Sequence, residues 1–256
     1  MSPADIALIL VAAFAGGVLN AVAGGGSFLA LPALITAGVP AVSANATTAL
    51  ALWPGSVAST LAYREDLDQE KQLRVALAIT SIAGGIGGAL LLLGTSNASF
   101  LRLLPWLMLI ASVMFTFGGA IARRLGAVTH GPRSSRATAI ACGLQLVIAT
   151  YGGYFGGGMG IMMLAYLAAI GMTNIHAMNG LKSLLAVIIN GVAIVAFVVD
   201  GAIAWRPGLI MIAAAMSGGW IGARVARRVP VRAVRVLVMI VGWSMTAYFF
   251  WRAYYR

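Results

Sequence analysis

Ten apolar runs, at about 6–23, 28–37, 42–63, 75–94, 101–122, 137–155, 161–170, 175–199, 207–223 and 231–251, leave this chain little to build a polar surface from. Hydrophobic residues make up 61% of its 256 residues and charged residues 9%, against about 45–50% and about 25% in an ordinary soluble domain. A water-soluble globular fold is excluded. With 32 glycines, the composition fits a polytopic α-helical membrane protein, the setting in which glycine is enriched within helices.

Eight of the runs come near the roughly 20 residues that cross a hydrocarbon core. The other two, 28–37 and 161–170, have about 10 residues, or about 15 Å as helix, which is half of a core about 30 Å thick. Each follows a glycine cluster, Gly24-Gly25-Gly26 and Gly156-Gly157-Gly158 with Gly160. Each therefore reads as the second arm of a broken, re-entrant helix. The expected fold is all-α: about eight long transmembrane helices plus two glycine-broken half-helices.

Gly24, Gly25 and Gly38 recur 133 residues later as Gly157, Gly158 and Gly171. After a one-residue insertion, Asn45, Asp66, Gly84, Gly85 and Gly88 recur at a spacing of 134 as Asn179, Asp200, Gly218, Gly219 and Gly222. Ordered matches at nearly constant spacing point to a duplication. The halves are a first membrane repeat over 1–122 and a second over 137–256, joined by a basic linker over 123–136.

A net charge of +11 would suggest a nucleic-acid partner in a soluble protein, but its placement rejects one. Twelve of the 17 Lys and Arg lie in three inter-helix segments: Arg64, Lys71 and Arg74; Arg123, Arg124, Arg133 and Arg136; Arg224, Arg227, Arg228, Arg232 and Arg235. By the positive-inside rule these segments are cytoplasmic, and 94–102 and 200–206 lie outside. The corresponding loops 64–74 and 200–206 then face opposite sides, so the halves are inverted. Residues 1–38 would begin and end outside, and 137–171 would begin and end inside. Counting each of those stretches as one crossing gives parallel halves, and strands the arginines of 224–235 outside. Met1–Asp5 carries no basic side chain, so the first helix is expected to stay rather than leave as a signal peptide. The expected destination is a membrane, crossed several times.

Inverted repeats with paired broken helices are the plan of secondary transporters, with substrate near the midplane between the halves. A glycine turn leading into a helix offers free N–H groups and the positive end of a dipole to an anion. Asn20, Gly24, Gly25, Gly26 and Ser27 supply this in the first half, and Gly156, Gly157, Gly158 and Gly160 in the second. Lys182 is the one ionisable residue well inside an apolar run, a placement that costs about 2.5–3.5 kcal/mol and normally calls for a cavity or a partner. With no carboxylate at that depth, the missing counter-ion is an anionic substrate. Asn45, Thr48 and Asn179 are candidate neutral donors to it, with Thr47 beside them. Gly84, Gly88, Gly218 and Gly222, at helical spacing, read as helix-packing positions.

Other chemistry is poorly supplied. Gly25-Gly26-Ser27 with His176 lacks the strand-to-helix elbow that would make the serine a nucleophile. Two histidines and the single Cys142 offer no metal set and no disulfide. No catalytic residue and no cofactor is expected. The partners expected are a small anion, lipid, and a coupling proton or cation, with the oligomeric state open. An anion channel and a non-transporting scaffold are the alternatives.

The pattern GGVLNAVAGGGSFLALPALITAGVPAVSANATTALALWPGSVAS, followed in the second half by YGGYFGGGMGIMMLAYLAAIGM and AMNGLKS, resembles the TauE/SafE family, also called the 4-toluenesulfonate uptake permease family. The resemblance spans essentially the whole chain. It implies a bacterial or archaeal inner-membrane transporter of sulfite, sulfoacetate or related sulfonates. Ala165 stands where Pro32 does in the first half, a departure from strict symmetry between the half-helices.

Overall fold

A computed structural model describes residues 1–23, 25–65, 71–125, 135–225 and 231–255. Among the described residues the chain is all-helical: α1 (Pro3–Ala23), α2 (Ser27–Thr36), α3 (Ala41–Ala62), α4 (Lys71–Leu93), α5 (Asn97–Leu125), α6 (Ser135–Tyr154), α7 (Met159–Ala169), α8 (Ile175–Val199), α9 (Trp205–Val225) and α10 (Val231–Tyr254). Each apolar run has become one helix, because a chain in lipid must satisfy its amides within the segment. Six helices, α1, α4, α5, α6, α8 and α10, are long and apolar enough to cross a membrane. Of the eight long spans expected, α3 and α9 reach the length but not the composition. In α3 the reason is a set of polar side chains that includes Ser43, Asn45, Thr47, Thr48, Ser56 and Ser59. The half-helices α2 and α7 have 10 and 11 residues. The middle of the basic linker, Asp66, Arg227 and Arg228 lie outside the described residues.

The burial pattern is that of a protein solvated by hydrocarbon. Val11, Ile79, Leu90, Val147, Val195 and Ile240 are exposed, while Asn45, Thr47, Ser81, Gln145, Ser183 and Thr246 are buried. Apolar burial against lipid does little for helix association, so small residues at the crossings carry it. A Cβ on Gly84 would lie 2.5 Å from that of Ala149, and one on Gly88 would meet the Thr150 carbonyl oxygen, so α4 presses directly on α6. Gly218 meets the Phe14 carbonyl oxygen and Gly222 lies against Val18, so α9 presses on α1 in the same way.

Specific contacts give the helix directions. Trp53 Nε1 donates to the Val187 carbonyl at 3.0 Å, the Ser59 and Ser183 hydroxyls are 2.9 Å apart, and the Tyr63 and His176 rings are 6.3 Å apart. Numbers rise along α3 as they fall along α8, so the two are antiparallel. The same holds for α5 and α10: Trp106 Nε1 donates to the Tyr254 hydroxyl, Ser112 pairs with Thr246, and Trp243 Nε1 donates to Thr116. In contrast α4 and α6 run parallel, with Ser81 on Gln145 and Gly84 on Ala149.

The half-helices end alike. Gly38 (φ +83°) and Gly171 (φ +91°) take the left-handed conformation, which closes each helix with a pair of reversed hydrogen bonds. Val39 N–H donates to the Leu34 carbonyl at 3.0 Å, and Met172 N–H to the Leu167 carbonyl at 3.0 Å. This is the glycine C-cap of a helix whose last carbonyls lack partners.

Candidate substrate cavity

The break between α6 and α7 is built by glycine geometry and held by a tyrosine. Gly156 and Gly158 both have φ +78°, a region that costs other residues roughly 1–2 kcal/mol, and they let the chain restart as α7. The Tyr151 hydroxyl sits 2.8 Å from the Gly157 carbonyl oxygen and 3.1 Å from that of Leu107, so it serves the backbone that the break leaves unpaired. On the α2 side the restart is a tight turn, with Phe28 N–H donating to the Gly25 carbonyl at 3.2 Å.

A cavity of about 280 Å³ lies between the two breaks. Asn20 of α1 and Ser27 of α2 line it on one side, and Phe155, Gly156, Met159 and Gly160 on the other. The antiparallel pair forms its long walls: Thr48, Gly55, Ser56, Ser59 and Tyr63 along α3, and Asn179, Lys182, Ser183, Ala186 and Asn190 along α8. Lys182 Nζ donates to Asn179 Oδ1 at 3.2 Å, and Asn179 Nδ2 donates to the Ile175 carbonyl at 2.9 Å. A Cβ on Gly160 would lie 3.4 Å from Lys182 Cδ, so the lysine stem lies against the first turn of α7 with room there for no more than a methyl group. Of the acidic residues among the described residues, Asp5, Glu65 and Asp200, none lines the cavity.

Of the residues singled out in the sequence, Asn20, Ser27, Thr48, Gly156, Gly160, Asn179 and Lys182 therefore meet in one cavity. Gly24 lies outside the described residues. Gly25 and Gly26 do not line the cavity: a Cβ on Gly25 would lie 2.8 Å from Val238, and one on Gly26 would meet the Gly16 carbonyl oxygen. Gly157 and Gly158 face Phe155 and Ala111. Asn45 is 3% exposed and spends its Nδ2 on the Tyr154 carbonyl at 3.0 Å. Thr48 touches the cavity, but its hydroxyl proton is turned back to the Ala44 carbonyl at 2.8 Å. His176 is exposed outside α8's buried stretch, in the first turn capped by Asn174. Ser56, Ser59, Tyr63, Ser183 and Asn190 also line it, and the sequence reading did not place them there; on the α3 side Thr48, Ser56, Ser59 and Tyr63 recur at helical spacing.

The two ends of the cavity differ. It extends to Tyr63 and Asn179, where α3 ends and α8 begins. At the opposite end of α3, the Tyr154 ring packs 5.8 Å from Phe100, its hydroxyl is 3.3 Å from Thr95, and Asn45 holds its carbonyl.

A family model described as sulfite exporter TauE/SafE matches residues 8–249. The chain belongs to this family. Among its relatives, the probable membrane transporter protein ORF9 of Sinorhizobium sp is 31% identical over 241 residues, covering 92% of this chain and 88% of the relative. A probable membrane transporter protein of Haemophilus influenzae is 26% identical, covering 94% and 93%. The probable membrane transporter protein YfcA of Escherichia coli K12 is 25% identical, covering 96% and 90%. No solved structure matches. This TauE/SafE member is a multi-pass membrane protein and a membrane transporter, with a polar-lined cavity between the α1/α2 and α6/α7 breaks.

Proposed function

We propose that the protein is an inner-membrane permease that moves a small sulfur oxyanion, sulfite or an organosulfonate, by alternating access. The observation that carries this reading is Lys182: a cation on a cavity wall, against the first turn of α7, with no acidic residue among the described residues of the lining. Anions are favoured at that helix end, and the amides of Asn20, Asn179 and Asn190 supply neutral donors. The apolar Phe155, Met159 and Leu164 on the same lining suit an organic substituent. The closed end at Tyr154 and Phe100 supports a carrier over an open channel, and by the positive-inside reading the open end is cytoplasmic.

Alternating access rests on the halves being inverted repeats. Two contacts support that reading because they join residues at the repeat spacing itself: Trp53 with Val187, and Ser112 with Thr246. A residue that touches its own mate lies on the twofold axis, and since α3/α8 and α5/α10 are antiparallel, that axis is perpendicular to the helices.

Uptake by proteoliposomes of purified protein tests the function, comparing sulfite, sulfate, a small sulfonate and a small carboxylate. Saturable movement against a gradient of a sulfur oxyanion is expected. Lys182→Met should insert and fold, and lose about 2 kcal/mol or more of anion binding, roughly thirtyfold. Unchanged affinity in the folded variant would remove Lys182 from the site, and movement only down the gradient would make the protein a channel.

A further inference from the structure

We propose that Lys182 is also the proton carrier of the transport cycle, so that each monovalent anion crosses together with one proton and no net charge moves. This rests on the anion-transport reading above and adds its coupling ion. The starting observation is that, among the described residues, the cavity lining holds a single cation, Lys182, and no acidic group. The helices packed on α8 are α3, α4, α6 and α7, and none of them carries an Asp or Glu. Their charged residues are Lys71 and Arg74 at the start of α4 and Arg136 at the start of α6, all cationic. Their other titratable residues are Cys142, Tyr151 and Tyr154 on α6 and Tyr166 on α7, with Tyr63, Arg64 and Glu65 just beyond α3 and His176 in the first turn of α8 itself. Of these only Tyr63 lines the cavity, and Lys182's hydrogen-bond partner there, Asn179, is neutral.

A carrier has to turn over loaded and empty. Loaded, the ammonium and a monovalent anion form a neutral pair. Empty, a bare ammonium would cross the occluded state among amides, hydroxyls and apolar side chains, and an uncompensated charge in such a place is disfavoured. Lysine has a way out that arginine lacks, since an ammonium can give up a proton and a guanidinium in a protein does not. On the loading side, Nζ takes a proton from water and pairs with the anion. On the far side the anion leaves, the N–H bond breaks, the proton passes to water and the electron pair stays on Nζ. The empty carrier returns neutral. Net direction follows the sum of the anion and proton gradients, and membrane voltage has no lever.

The test uses the full chain in proteoliposomes with a trapped pH dye and radiolabelled methanesulfonate, a strong-acid anion that carries no proton of its own. The voltage is clamped at zero with potassium and valinomycin. Internal acidification in step with label uptake, one proton per anion, is expected, and an inward gradient of about one pH unit should hold about tenfold accumulation. Uptake without acidification, or uptake driven by voltage alone, would overturn the proposal. In Lys182→Arg the ratio of net uptake to exchange of labelled for unlabelled anion should fall about tenfold or more, since the charge stays and cannot be shed. An unchanged ratio in that variant would overturn the proposal as well. If Lys182→Arg does not fold, the proton count of the unaltered protein decides. Exchange with no proton movement leaves the transport reading intact and sinks only the coupling, whereas no exchange in the unaltered protein sinks both.

Discussion

Thr48 and Lys182 stand 134 residues apart, at the same level of their respective helices, and behave differently. Thr48 returns its hydroxyl proton to its own helix, while Lys182 extends along the cavity wall toward Asn179. Asn45 and Asn179 diverge in the same way, one buried against the Tyr154 carbonyl and the other on the lining. Gly160 sets how closely the lysine stem approaches α7. Gly160→Ala should be tolerated, because its Cβ would lie 3.4 Å from Lys182 Cδ, an ordinary contact. Gly160→Leu should displace the stem and weaken anion binding by about 1.4 kcal/mol, or about tenfold. Titration of anion binding to both purified variants checks the pair, and equal affinities would mean that the lysine stem does not need this space.

At the scale of the element, two kinds of glycine can be told apart. Gly38 has φ +83° and open space around it, whereas Gly218 is helical and presses on the Phe14 carbonyl. Gly38→Ala should cost about 1 kcal/mol through backbone conformation alone and leave transport unchanged. Gly218→Ala forces α9 off α1 and should cost about 3 kcal/mol or more, at the upper end of overpacking. Thermal unfolding in detergent should rank the two, and similar midpoints would mean that α9 and α1 do not depend on this contact. The sequence made these elements legible because their signals are local: apolar run length, glycine clusters and helical spacing. It did not mark Ser56, Ser59 or Ser183 as lining. A hydroxyl in a membrane helix can satisfy itself on its own backbone, as Thr60 does on the Ser56 carbonyl, so its type says nothing of what it faces.

At the scale of the whole molecule, the break-and-return of α1–α2 and α6–α7 decides the topology. Ser96 lies at the end of the bundle where α3 begins, since neighbouring Asn97 accepts from Val42 N–H. Thr173 lies at the other end, beside His176 and Tyr63. In a background with Cys142→Ser, single cysteines at 96 and 173 should react with an impermeant thiol reagent from opposite sides of the membrane. Labelling from one side would favour parallel halves. A cysteine pair at Ser59 and Ser183, whose hydroxyls are 2.9 Å apart, should cross-link α3 to α8 on oxidation and stop transport, with recovery on reduction. Full transport while cross-linked would mean that these helices do not part during the cycle.

By itself the sequence determined the class, the ten helices, the two breaks and the repeat spacing. Each of these follows from hydrogen bonding and hydrophobic length, which in lipid are settled within one segment. Only the tertiary structure decided which polar groups share a cavity, since that depends on how each helix is rotated and crossed against its neighbours. It alone decided that the cavity reaches Asn179 and not Asn45. Asn45 and Asn179 are the same residue type at matching positions, and what separates them is packing: the first is held on the Tyr154 carbonyl beside Phe100, and the second lines the cavity.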